Sequence, residues 1–96
     1  MKKGYVYILT NPEHTVLYTG VTSDPILRIR QHRLHTFAGF SARYNLSELI
    51  YYEEHPHIEA AILREKQIKS WSRERKVRLI TEHNPTWRDL LPEEEA

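Results

Sequence analysis

Tyr18-Thr19-Gly20-Val21-Thr22-Ser23-Asp24-Pro25-Ile26-Leu27-Arg28-Ile29-Arg30-Gln31-His32 decides how the rest of the chain is read. A β-rich run closes at Gly20 and a short polar link follows. Asp24-Pro25 then reads as a helix start, because Asp accepts from free backbone N–H groups and Pro is pre-set for the first helical position. In that helix Arg28 and His32 stand four residues apart and project from one face. A permanent cation beside a titratable imidazole, aimed past the end of a strand, suits a phosphate.

Upstream, Gly4 to Thr10 is rich in β-branched and aromatic residues, and Asn11-Pro12-Glu13-His14 is turn chemistry before a second run, Val16 to Val21. The two runs predict an antiparallel hairpin. Tyr5, Tyr7 and Leu9 share one face of the first strand, and Val6 and Ile8 the other. Whether Tyr18 joins the face of Tyr7 depends on register, which a slip of one residue reverses.

Downstream, the first helix is expected over Asp24 to His35, with Ile26, Leu27, Ile29 and Leu34 as apolar anchors and Arg28, His32 and His35 on another face. Thr36 to Asn45 lacks periodicity and reads as a substrate-facing loop. Leu49 to Glu53 reads as a third strand. After the break at His55-Pro56, His57 to Ser70 reads as a helix with the apolar register Ile58, Ala61, Ile62, Ile68. Glu65 falls in that register, where the spacing calls for a core residue. A carboxylate so placed needs a partner, whether an Arg, a hydrogen-bond donor or a metal. Ser72 is set to cap a last helix from Arg73 to about His83, with Val77 and Ile80 inward. Asn84-Pro85 stops it, and Trp87, Leu90 and Leu91 are expected to dock the tail.

Ninety-six residues suffice for one compact domain. We place it at residues 1–91, with an acidic, frayed tail over 92–96. The absence of cysteine excludes disulfides and thiolate zinc sites and is compatible with a reducing compartment, so the cytoplasm is the expected location. The apolar run Tyr5 to Leu9 is far too short for a membrane span. A net charge of +1 conceals two basic segments: four Arg and no acid between Ile26 and Leu46, and seven Lys/Arg against two Glu between Arg64 and Arg78. Local basic surface is what a phosphate backbone feels.

Taken in order, Tyr5-Val6-Tyr7, ten intervening residues, Tyr18-Thr19-Gly20, then Arg28, His32 and Glu65 resemble the GIY-YIG nuclease superfamily. Its members include the N-terminal incision domain of a bacterial excinuclease, homing endonucleases and junction nucleases. The layout, with Asn84-Pro85-Thr86-Trp87-Arg88-Asp89-Leu90 at its close, is most similar to the small bacterial single-domain members.

The resemblance implies an α+β fold, a three-stranded antiparallel sheet flanked by about three helices. It also implies hydrolysis of a nucleic-acid phosphodiester with one divalent ion, Mg²⁺ or Mn²⁺. By position, Glu65 matches the metal-binding glutamate, Tyr7 and Tyr18 the two active-site tyrosines, Arg28 the phosphate-stabilising arginine, and His32 a position held by His or Tyr. The lysine that some relatives carry after the second motif is missing from Val21-Thr22-Ser23. The expected activity is a metal-dependent, structure-selective DNA endonuclease of repair or recombination type, with or without a protein partner. The alternatives are a non-cleaving nucleic-acid-binding module of the same fold and a protein-interaction adaptor. Arg28, Arg43, Arg73 and Lys76 are the expected backbone contacts, with Phe37, Phe40 or Tyr44 stacking on bases.

Overall fold

The computed structural model describes residues 2–34 and 43–91. The elements run β1 (Gly4–Thr10), β2 (Leu17–Thr22), α1 (Pro25–Arg33), β3 (Glu48–His55), α2 (Ile58–Lys69) and α3 (Arg73–His83). The sheet has the order β2-β1-β3, with β1 antiparallel to both neighbours. With three helices among the described residues, this is the α+β architecture expected from the sequence.

The β1–β2 connection is held by Asn11, whose Oδ1 accepts from the backbone N–H groups of Thr15 and Val16, both at 2.9 Å. That turn sets the register: Tyr7 lies opposite Gly20, Leu9 opposite Tyr18 and Ile8 opposite Thr19. Directly paired residues share a face, so Tyr7 and Tyr18 are on the same side of the sheet.

As the central strand, β1 is buried on both faces. Val6 and Ile8 pack with Ile50, Tyr51, Ala61, Ile68 and Ile80 beneath α2 and α3. Tyr7 and Leu9 pack with Ile29, Leu46, Leu49 and Leu91 on the α1 side. α2 crosses very near β1: a Cβ on Gly4 would lie 2.6 Å from Ala61 Cβ and 2.8 Å from Ile58 Cα. Removing the side chain at residue 4 is what permits that approach.

The three helix starts use side-chain caps. Asp24 accepts from Leu27 N at 3.1 Å, His57 Nδ1 from Ala60 N at 3.3 Å and Ser72 from Arg75 N at 3.3 Å. α1 departs from expectation in what it buries. Ile26, Leu27 and Leu34 are 51%, 53% and 75% exposed, so of the four expected anchors only Ile29 enters the core. The helix touches the sheet along a narrow stripe, and the position one turn beyond Arg28 goes to His32, which is buried. His35 lies outside the described residues.

The tail wraps around the edge of β3. Trp87 packs on the α2/α3 side while Leu90 and Leu91 pack on the α1 side, and between them Leu90 N donates to Leu49 O at 2.7 Å. Such a cover blunts an edge strand. Asn84 anchors the wrap. Pairing skips from Ile8–Tyr51 to Leu9–Leu49, leaving Ile50 as the extra residue of a β-bulge. The buried Asn84 amide donates to Ile50 O and to Arg88 O, each at 2.9 Å. None of the helices among the described residues is long and apolar enough to cross a membrane.

Candidate active site

Tyr7 is the innermost member of the site. Its ring lies over Gly20 so closely that a Cβ there would overlap Cζ and the phenol oxygen. The glycine of Tyr18-Thr19-Gly20 thus serves as the seat for the tyrosine of the opposite strand. The phenol oxygen reaches His32 Nε2 at 3.2 Å. The His32 ring centre is 5.9 Å from that of Tyr7 and 5.4 Å from that of Tyr18, and the two tyrosine rings are 6.4 Å apart. Three aromatic rings from β1, β2 and α1 therefore form one contiguous group.

Arg28, one turn before His32, and Glu65 of α2 are both near enough to the Tyr7 phenol for their charges to act on it. Glu65 shares the inward stripe of α2 with Ala61 and Ile68 but stops half-buried, its carboxylate 3.4 Å from Lys69 Nζ. The pair follows i, i+4 spacing. Of the partners open to Glu65, a local lysine is thus one.

The electrostatics of the group follow from its burial. The Tyr7 phenol is pushed far above the ordinary tyrosine range, chiefly by burial and then by Tyr18; Arg28 opposes the shift and Glu65 adds to it. An arginine beside a phenol lowers its pKa, yet here desolvation outweighs it. His32 is lowered from its ordinary value, first by burial and then by the Arg28 charge. At neutral pH the site therefore contains a protonated phenol against a neutral imidazole.

The chemistry of the donor set bears on a metal. Glu65 offers a single carboxylate, and the described residues contain no group of three or more His, Cys, Asp or Glu around one point. Mg²⁺ retains several waters and is commonly held by one or two carboxylates plus substrate phosphates. A single carboxylate is compatible with such an ion, and Glu65 is the residue that could hold it.

The other expected nucleic-acid contacts are dispersed. Arg43 lies 5.6 Å from the centre of the exposed Tyr44 ring. Arg73 donates to the His14 carbonyl at 3.3 Å, and Lys76 is half-buried. Phe37 and Phe40 lie outside the described residues. Sequence reasoning did not single out Gly20 as the seat of Tyr7, or Lys69 as the neighbour of Glu65. Only the second had a local signal, the i, i+4 spacing.

The model of the GIY-YIG catalytic domain matches residues 3–90. A UPF0213 protein of Haloquadratum walsbyi is 38% identical over 82 residues, covering 81% of this chain and 86% of its own length. One from Staphylococcus haemolyticus is 36% identical over 86 residues, covering 85% and 99%. The solution structure of a UPF0213 protein from Bacillus halodurans superposes with a TM-score of 0.58 at 28% identity, covering 91% of this chain and 92% of that one. A match this long takes in both tyrosine strands, the Arg28–His32 helix and Glu65 together, and the chain therefore belongs to the GIY-YIG family, which is of nuclease type.

Proposed function

We propose that this chain is a metal-dependent endonuclease domain that hydrolyses DNA phosphodiester bonds, with preference for single-stranded, flapped or branched substrates. The observation that supports this most directly is the convergence of side chains from three elements, β2, α1 and α2, on the buried Tyr7 phenol of β1. A core tyrosine needs one hydrogen-bond partner. It does not need a guanidinium, an imidazole, a second phenol and a carboxylate around it.

In this reading Arg28 binds a nonbridging phosphate oxygen. Negative charge grows there at the transition state, so a fixed guanidinium stabilises that state more than the ground state. Tyr7 cannot act as a standing phenolate, because burial holds its proton. It can relay: the attacking water gives a proton to the phenol oxygen as the phenol O–H passes its own to neutral His32 Nε2. Tyr18 packs against the imidazole and orients it. Glu65 would hold the divalent ion, which when bound supplies Lewis-acid polarisation of the phosphate. Residues 1–91 act as the catalytic unit, and a cysteine-free chain is suited to the cytoplasm.

A non-cleaving module is the second reading, and the Glu65–Lys69 pair favours it, since a lysine already neutralises the carboxylate a metal would need. The test is cleavage of labelled single-stranded, duplex, flap and branched DNA with Mg²⁺ or Mn²⁺, beside Arg28→Ala and Glu65→Ala. Turnover by the wild type, lost by both folded variants, is the expected result. Salt-sensitive binding without turnover would select the second reading.

A further inference from the structure

Trp71, in the link between α2 and α3, packs on the core beneath those helices and carries two guanidinium groups on its indole. Arg64 lies 5.1 Å and Arg75 4.0 Å from the ring centre. A guanidinium stacked on an aromatic ring has its N–H donors in plane, directed away from the stack. Arg64 uses those donors within the protein: Nε reaches the Glu53 carboxylate at 3.1 Å and Nη1 donates to Gln67 Oε1 at 2.8 Å. Arg75 is stacked on the same indole, but among the described residues no acceptor takes its guanidinium N–H groups and no carboxylate pairs with it or with Arg78. Both are exposed and, with Trp71, Leu79 and Glu82, line a shallow groove of about 140 Å³.

We infer that Arg75 and Arg78, presented beside Trp71, form a second phosphate-binding site for a polynucleotide backbone, on the α2/α3 side of the sheet whereas the tyrosine cluster is on the α1 side. The inference rests on the nucleic-acid reading above. Positions three apart on a helix put their Cβ atoms about 5–6 Å from each other, so the two cations can engage successive phosphates of one strand. The stack fixes Arg75 before binding, which lowers the entropy lost when a phosphate is gripped. Arg64 and Glu65 are adjacent in sequence, yet Arg64 turns to Trp71 and Glu65 acts on Tyr7. α2 thus contributes to both places, through Glu65 to the one and through Arg64 to the other. One carboxylate, Glu82, faces the two guanidiniums along the groove and leaves its balance positive.

The test is fluorescence anisotropy with a labelled single-stranded DNA long enough to cross α2, titrated across salt concentrations. Arg75→Gln/Arg78→Gln is compared with the wild type and with Lys2→Gln/Arg88→Gln, which removes the same charge elsewhere. Each phosphate contact on a single strand contributes about 0.7 to the slope of log K against log salt. The double variant is expected to lose about 1.4 from that slope and to bind several-fold more weakly at low salt, while the control keeps the wild-type slope. Arg75→Lys is expected to retain the slope and lose affinity, because the ammonium keeps the charge without the fixed fork.

An unchanged slope in a double variant that melts like the wild type overturns the inference, as does a control that falls equally or a wild type that does not bind. Cleavage is scored separately. A wild type that cuts while the slope is unaffected removes this site and leaves the nuclease reading. A slope that falls while the wild type never cuts does the reverse.

Discussion

Gly20 and Tyr7 explain each other. A Cβ at residue 20 would occupy the space of the Tyr7 phenol, so Gly20→Ala must expel the ring or push the strands apart. Overpacking of this kind costs about 1–3 kcal/mol. We expect that loss in denaturant melts, together with a fall of at least about tenfold in cleavage, because the phenol no longer meets His32. His32 makes a pH prediction. Its pKa is lowered in the fold, so below the ordinary histidine value the unfolded chain binds the extra proton first. Its contribution to stability is full above about pH 6.5 and is lost as pH falls from there through the lower folded pKa. Thermal midpoints should decline over that acid range, and His32→Phe should remove its part of the decline. Cleavage should fall over the same range, since a protonated imidazole cannot take the phenol proton.

Among the elements, the β3 bulge and the tail that covers it are the most exposed to a single change. Asn84→Ala removes both amide donations and leaves the Ile50 carbonyl buried without its donor. An unsatisfied buried group costs about 1–3 kcal/mol beyond the bonds lost, so destabilisation of about 2–3 kcal/mol is expected in urea melts. Asp89 supports the same wrap by accepting from Leu49 N and from Arg33. That ties α1, and with it Arg28 and His32, to the tail. Asn84→Ala should therefore also lower cleavage at temperatures where the tail has let go while the sheet persists, measurable as activity loss preceding the far-UV transition.

For the whole molecule, the two faces of one sheet carry different tasks. The α1 face builds one apolar cluster and the tyrosine group, and the α2/α3 face builds the other apolar cluster and the Trp71 platform; α2 serves both through Glu65 and Arg64. Next to the platform, Glu53 accepts from Tyr51, His55 and Arg64. Burial works against ionisation of Glu53, but those partners prevail and hold its pKa below the ordinary carboxylate value. Its stabilisation is present above about pH 4.5 and lost as pH falls through the lower folded value. A divalent ion held by one carboxylate contributes little to folding, so chelation with EDTA is expected to abolish cleavage while leaving the thermal midpoint unchanged. A large fall in the midpoint on chelation would instead indicate a structural metal.

Much of this was legible in the chain. Asp24-Pro25 marked the start of α1 because capping is chemistry between neighbours, and alternation marked β1 and β2 for the same reason. Glu65 stood out because a carboxylate interrupts an apolar register. Those signals are local, so the sequence by itself determined the elements, their order and the interest of Arg28, His32 and Glu65, while Tyr7 and Tyr18 became candidates through the family resemblance. Only the tertiary structure decided that Tyr7 faces Tyr18, since register depends on how Asn11 closes the turn. It alone buried His32 while leaving Ile26, Leu27 and Leu34 in solvent, because the stripe a helix buries is set by what it packs against. The direction of the Tyr7 pKa also lay beyond the sequence: the arginine was visible there, but the desolvation that outweighs it exists only once the sheet and helices close over the ring.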